Sequence, residues 1–126
     1  MTAPVRETGN RAVVAAMVDA LNEADIERFV SYYTDDVDVD IVRFGRHLKG
    51  ARAVGKWIED AFDALDGFCN DVVGIYGDGE VIALEVIARG TATRPFARRE
   101  VGEPLDAQEV YIYTFRDGKI ADVRAY

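Results

Sequence analysis

The chain has 126 residues, the length of one domain and too short for two good cores. Its 23 acidic against 15 basic residues give a net charge of −8, which repels phosphate backbones and anionic lipid and sets nucleic acid and membrane surfaces aside as partners. The lone cysteine, Cys69, excludes an internal disulfide and is read as a buried apolar thiol, and one histidine with one cysteine argues against a zinc or iron site.

Residues 1–10 contain no apolar signal core, and no apolar run approaches the ~18 residues of a membrane span. A single domain spanning residues 1–126 is expected, cytoplasmic, with residues 1–9 a mobile lead-in. Val14, Met17, Val18 and Leu21 then fall at i, i+3, i+4 and i+7, one face of a helix. Asn22-Glu23-Ala24-Asp25 interrupts that face. Asp25 is positioned to N-cap a second helix whose apolar stripe is Ile26, Phe29, Val30 and Tyr33.

Thr34-Asp35-Asp36 ends the helical pattern, and Val37, Val39 and Ile41 alternate with Asp38 and Asp40, so the period switches to two. Gly50 precedes a third helix with Val54, Trp57, Ile58, Ala61, Phe62 and Leu65 on its face and Gly67 as its stop. Strand and turn follow. Residues 72–76 make one strand, and Gly77-Asp78-Gly79 turns the chain into a longer one over 80–92. A loop runs from Arg94-Pro95-Phe96 to Gly102-Glu103-Pro104; residues 106–115 are the next strand, and Asp117-Gly118 is a hairpin signal returning it over 119–126. The order ααβαββββ predicts an α+β fold, a mostly antiparallel sheet with helices on one face.

Three segments, in order, carry a resemblance to the NTF2-like superfamily, in its branch of SnoaL-like polyketide cyclases and ketosteroid isomerases. Asn22-Glu23-Ala24-Asp25 through Tyr33-Thr34-Asp35-Asp36-Val37 resembles its "N-x-x-D … Y-x-x-D-V". Gly50-Ala51-Arg52-Ala53-Val54 resembles its "G-x-x-A-I", and Phe115-Arg116-Asp117-Gly118-Lys119-Ile120 its "F-x-D-G-K-I" hairpin. The resemblance implies a cone, in which a curved mixed or antiparallel sheet wraps the helices of the N-terminal half and encloses a pocket. It would turn Val39, Ile41 and Arg43 inward from the first strand, Glu109, Tyr111 and Tyr113 from the penultimate one, and Val123 and Ala125 from the last. Tyr33 matches a pocket tyrosine of the ketosteroid isomerases.

The catalytic sets of the best-known relatives are replaced. The isomerase base, an Asp, falls at Ile41; its oxyanion-hole Tyr and protonated Asp fall at Met17 and Tyr111. The carboxylate and His of SnoaL-like cyclases fall at Tyr111 and Ala92, and the last-strand Asp of limonene epoxide hydrolases at Ala125. What remains is Glu109, flanked at i+2 and i+4 by Tyr111 and Tyr113. A carboxylate among apolar and phenolic walls has a raised pKa and suits general acid/base work, and Tyr111, Tyr113 or Tyr33 can donate to an enolate oxygen. Against this stands the reading of Glu109 as an exposed or arginine-paired strand-end residue. Asp40 is the second candidate carboxylate, one position from the isomerase base, with Asp38 behind it; each is otherwise an outward polar residue of an alternating strand.

Arg43, Arg46, His47, Lys49, Arg52 and Lys56 form an acid-free stretch in an acidic chain. They either steer an anionic substrate to the pocket mouth or pair with acidic neighbours. Trp57 is expected in the core or pocket wall, and Glu85 with Arg89 on the outer face of the sheet.

The expected function is a cofactor-free acid/base enzyme, of isomerase, cyclase or dehydratase type, on a small and largely apolar carbonyl compound. Glu109, Tyr111 and Asp40 would be its catalytic residues, and Tyr33, Arg43, Trp57, Tyr113 and His47 its substrate-binding ones. The alternatives are a non-catalytic ligand-binding or assembly module, and an epoxide hydrolase or ether-forming cyclase built on Glu109 and Asp40. Val110, Ile112 and Thr114 alternate with the pocket residues and predict a homodimer through the sheet.

Overall fold

Val14, Met17, Val18 and Leu21 are all buried along α1 (Gly9–Asn22) in the computed structural model, which describes residues 9–126. Residues 1–8 of the expected lead-in lie outside the described residues, and Gly9 already belongs to the helix. Asp25 caps α2 (Ile26–Ser31), its carboxylate accepting from the Arg28 backbone N–H at 3.2 Å. Such a cap contributes about 1 kcal/mol. Phe29, 2% exposed, anchors α2 in the core, a burial worth roughly 1.5–3 kcal/mol. Tyr33 starts β1 (Tyr33–Ile41) rather than closing the helix, and Val37, Val39 and Ile41 alternate into the core as expected.

A 3-10 turn at Val42–Phe44 leads to β2 (Arg46–Lys49), a strand absent from the expected order ααβαββββ. Arg46-His47-Leu48-Lys49 has one apolar residue, and an edge strand carried by a single buried side chain has no visible alternation; pairing with β1, His47 opposite Asp40, makes it a strand. α3 (Ala51–Ala64) follows and packs closely on α2 because Gly55 has no side chain: a Cβ there would meet Val30 Cγ2 at 3.0 Å. α3 passes directly into β3 (Leu65–Tyr76), which is longer than expected. Gly67 is not the helix stop; it lies where the β3–β4 register shifts between Asp66 and Cys69, inside a bulge.

β4 (Val81–Ala92), β5 (Pro104–Arg116) and β6 (Lys119–Ala125) complete a six-stranded sheet in the order β2-β1-β6-β5-β4-β3. β1 and β6 run parallel and the remaining neighbours antiparallel. Asp117 and Gly118, at φ 52° and 80°, turn β5 into β6; two successive positive φ angles match the strand twist, and glycine adopts one of them without a steric cost. The fold is α+β, with three helices against one face of a mixed sheet. Met17, Phe29, Ile82, Leu84 and Ile120 fill the main core, and Leu65, Ala88, Ala92, Leu105 and Ala107 a smaller cluster at the α3–β3 end. None of the described helices is long and apolar enough to cross a membrane.

Candidate active site

Strand register decides what faces the helices. Ile82, Leu84, Val86 and Ala88 of β4 lie opposite Tyr113, Tyr111, Glu109 and Ala107 of β5. Tyr111 and Tyr113 lie opposite Ala125 and Val123 of β6, which in turn lie beside Ile41 and Val39 of β1. Cross-strand partners share a face. This surface, closed over by α1, α2 and α3, lines a cavity of about 580 Å³, large enough for a small organic molecule. All eight inward positions expected from the resemblance, Val39, Ile41, Arg43, Glu109, Tyr111, Tyr113, Val123 and Ala125, line it, as do Tyr33 and Trp57. So does Met17. Ala92 instead packs in the smaller core cluster.

Glu109 is partly buried in this wall, and Tyr111 Oη donates to its Oε1 at 2.6 Å. Burial raises the Glu109 pKa above the usual carboxylate range. The Tyr111 hydrogen bond and the charges of Arg43 and Arg99 oppose the rise without cancelling it. Burial likewise raises the phenols of Tyr33, Tyr111 and Tyr113, with the Glu109 charge adding to the rise at Tyr111, so all three remain protonated donors at neutral pH. Tyr111 has committed its only hydrogen to Glu109. Tyr33 and Tyr113, 5% and 3% exposed, make no hydrogen bond through their hydroxyls among the described residues, and both line the cavity. Tyr113 stacks edge-on to Tyr111 at 6.1 Å, and Tyr33 leans on Phe29 at 5.2 Å, which fixes the direction of each phenol.

The sequence reading missed two sets of cavity residues. Asn70 on β3 is 4% exposed, lines the cavity, and its carboxamide oxygen has no hydrogen-bond partner. Its backbone, not its side chain, holds it to α1, through Asn22 at 2.8 and 2.9 Å. The β4–β5 loop is the second set. Arg94, Phe96, Arg98 and Arg99 all reach the cavity from it, in addition to the basic stretch from Arg43 to Lys56 expected at the pocket mouth. Asn70 precedes the strand expected over 72–76 and carries no sequence signal of its own, whereas three arginines around one phenylalanine in an acidic chain mark the loop.

Asp40 and His47 need correction. Asp40 is exposed and lies outside the cavity lining, beside Arg124 and opposite His47, because the alternation that buries Val39 and Ile41 turns it to the outer face of the sheet. His47 is exposed on the same face, with Nε2 3.1 Å from Asp38 Oδ1, and Lys49 Nζ donates to Asp38 Oδ2 at 3.2 Å. Lys56 pairs with Asp60 at 2.6 Å. The basic stretch therefore divides: Arg43 and Arg46 reach the cavity, and His47, Lys49 and Lys56 bind acidic neighbours. Arg89 bridges Asp71 and Asp106 on the outer face, and Cys69, opposite Arg89 in the register, is half-buried there rather than fully buried.

No curated protein matches the chain in sequence. Solved structures do match in fold. A hypothetical protein with a ketosteroid isomerase-like fold from Catenulispora acidiphila, in complex with trimethylamine, superposes with a TM-score of 0.77 at 13% identity, over 90% of this chain and 83% of its own. A candidate polyketide cyclase from Xanthomonas campestris gives 0.79 at 21% identity, over 91% and 87%. A candidate ketosteroid isomerase from Kribbella flavida gives 0.72 at 18%, over 92% and 75%. At these identities the likeness is one of fold, the NTF2-like cone. The model of the SnoaL-like domain matches residues 14–123, nearly all of the described chain, and the protein belongs to the SnoaL-like domain family.

Proposed function

We propose that the protein is a cofactor-free acid/base enzyme acting on a small, largely apolar carbonyl compound, with Glu109 as the proton-transfer group. The family contains cyclases and isomerases, and one observation carries the reading to this chain: a desolvated carboxylate, held by a tyrosine at 2.6 Å, in the wall of an otherwise apolar cavity. A carboxylate with a raised pKa is a stronger base than a solvated one and is matched to proton transfer near neutral pH.

In this reading Glu109 takes a proton from the carbon beside the carbonyl, and the electron pair moves to the carbonyl oxygen. Tyr113 or Tyr33, whose hydroxyls have no protein partner among the described residues, donates to the enolate oxygen that forms. Return of the proton from Glu109 to a different carbon gives isomerisation. Attack of the enolate carbon on a second carbonyl of the same molecule gives ring closure, with the Glu109 proton passing to the new alkoxide. Tyr111 orients Glu109 and tempers its pKa. The epoxide-hydrolase reading required Asp40 beside Glu109, and Asp40 is on the other face of the sheet. A desolvated carboxylate within hydrogen-bond reach of a tyrosine favours the enzyme reading over a pure binding module.

The test needs no natural substrate. Cyclic enones and 1,3-diketones are incubated with the protein in deuterium oxide, and exchange of the hydrogens beside the carbonyl is followed by proton NMR. Catalysed exchange by the wild type and not by Glu109→Gln supports the reading; equal rates with both proteins overturn it.

We also propose a homodimer through the outer sheet face, where Val110, Ile112 and Thr114 of β5 lie opposite Glu85, Ala83 and Val81 of β4. Val81 is 51% exposed, and a second copy would cover this strip.

A further inference from the structure

Five arginines, Arg43, Arg46, Arg94, Arg98 and Arg99, line the cavity in a chain of net charge −8, against two carboxylates, Glu109 and Asp60. Asp60 is already held by Lys56 at 2.6 Å. None of the five lies within 4.0 Å of a carboxylate among the described residues, whereas Arg28, Arg89 and Arg116 each do. Their hydrogen bonds within the protein go to neutral groups, while at longer range the charges of Arg94 and Arg46 act on Asp60 and those of Arg43 and Arg99 on Glu109. Arg43 donates to the Gln108 carbonyl at 3.4 Å, Arg94 to the Asp60 carbonyl at 3.5 Å and Arg99 to the Ala97 carbonyl at 2.8 Å. Arg98 sits 5.2 Å over the Phe44 ring.

The segment that carries three of them is shaped for this placement. Phe96 and Arg99 exchange backbone hydrogen bonds of 3.0 and 2.8 Å, and Ala97 and Arg98 turn the chain between them at φ 47° and 65°. Two successive non-glycine residues in the left-handed region cost of order 1–3 kcal/mol each. That cost is borne at the cavity mouth, where Phe96 lines the cavity and Arg98 stacks on Phe44 from the turn after β1. The apolar wall lies inward, on the buried residues Leu84, Tyr113 and Val123; the guanidiniums lie on exposed segments.

We infer that the ligand of this cavity is amphiphilic, an apolar body carrying an oxyanionic group, and that the arginines at the mouth select it by that group. Guanidiniums without carboxylate partners can pair with an incoming anion without first breaking an ion pair, and their planar forks match carboxylate and phosphate oxygens. Their field also steers an anion toward a protein that would otherwise repel it. The apolar body would then lie against Leu84, Tyr113 and Val123 while the charged group stays at Arg43, Arg46, Arg94, Arg98 and Arg99. This inference rests on the cavity as the ligand site proposed above, but not on chemistry at Glu109.

The experiment compares two fluorescent probes that share one aromatic skeleton: 8-anilinonaphthalene-1-sulfonate, an anion, and N-phenyl-1-naphthylamine, which is neutral. The wild type is expected to bind the anion at least tenfold more tightly, with an affinity that falls as salt is added, while binding of the neutral probe does not change with salt. Arg94→Gln/Arg98→Gln/Arg99→Gln is expected to weaken the anion by roughly tenfold and leave the neutral probe unchanged, and Arg52→Gln, outside the cavity, to change neither. If circular dichroism shows the triple variant to be unfolded, Arg43→Gln and Arg98→Gln singly carry the comparison. Displacement of the anionic probe by 2-naphthoate or by 1-naphthyl phosphate, and not by 2-naphthamide, supports the inference and tells which oxyanion is preferred. Equal affinity for the two probes in the wild type, or variants that weaken both alike, overturns it. The readout involves no turnover, so a failure here leaves the proton-exchange result at Glu109 standing, and the reverse.

Discussion

Tyr111 and Glu109, two residues apart on one strand, share a hydrogen bond of 2.6 Å on the cavity side of β5. A strand places i and i+2 on the same face, which brings these two side chains within reach of each other. The phenolic hydrogen favours the carboxylate form and partly offsets the burial that disfavours it. Tyr111→Phe removes that offset. The Glu109 carboxyl should then titrate at a higher pH than in the wild type, as read from carbon NMR of glutamate labelled at the side-chain carboxyl. The rising limb of the deuterium-exchange rate against pH should move the same way. An unmoved Glu109 resonance in Tyr111→Phe would show that the hydrogen bond does not tune the base.

Glu109→Gln should lower catalysed exchange by about 10²–10⁴-fold, since it keeps the volume and removes the proton acceptor. Its stability should carry a sign as well. Glu109 is raised in the folded state above its ordinary 4.5, so between those two values the native protein binds more protons than the unfolded chain, and stability falls as pH rises through that window. The glutamine is free of this loss. The Tm of the variant minus that of the wild type should therefore be more positive at pH 8 than at pH 4, by calorimetry at both. A difference independent of pH places Glu109 in a solvated setting.

Tyr33→Phe and Tyr113→Phe should leave stability nearly unchanged, because neither hydroxyl has a protein partner to lose among the described residues. Losing the donor that faces the enolate oxygen should cost about 10²–10³ in rate. Only one of the two is expected to show the full loss, and it identifies which end of the cavity holds the carbonyl. A variant that melts several degrees lower with normal exchange would mean that the hydroxyl serves the fold.

Asn70 carries a carboxamide oxygen without a partner, and a buried unpaired polar atom costs about 1–3 kcal/mol. Asn70→Leu should therefore raise Tm by a few degrees and at the same time weaken turnover or ligand affinity. A lower Tm would show that the amide supports β3 after all.

On the outer face, Ile112 stands between Val110 and Thr114. If the sheet pairs two copies there, the wild type scatters light as a dimer at micromolar concentration and Ile112→Arg as a monomer with unchanged circular dichroism. A wild type that runs as a monomer near 13.9 kDa removes the dimer.

Much of this fold was legible because periodicity is a local property. Met17, Val18 and Leu21 repeat at helical spacing, Val37, Val39 and Ile41 at strand spacing, and Asp117-Gly118 states its turn in two residues. β2 was not legible: Leu48 alone is buried, and the strand exists because β1 offers it an edge. Nor was the start of β3, since Gly67 reads as a helix stop until its pairing with β4 shows a bulge.

The same division runs through the site. The sequence by itself determined that Glu109, Tyr111 and Tyr113 share one face of their strand and that Val39 and Ile41 share one face of theirs, because alternation along a strand needs no partner. It also determined an acidic chain with a basic stretch from Arg43 to Lys56. Only the tertiary structure decided which face meets the helices, and so that Asp40 points away from the cavity. Only it brought Arg94, Arg98 and Arg99 to the mouth beside Arg43, some fifty residues away in sequence, and set Asn70 in the wall. Those relations depend on strand order and on the fold of the β4–β5 loop, and contacts between distant segments leave no periodic trace in the segments themselves.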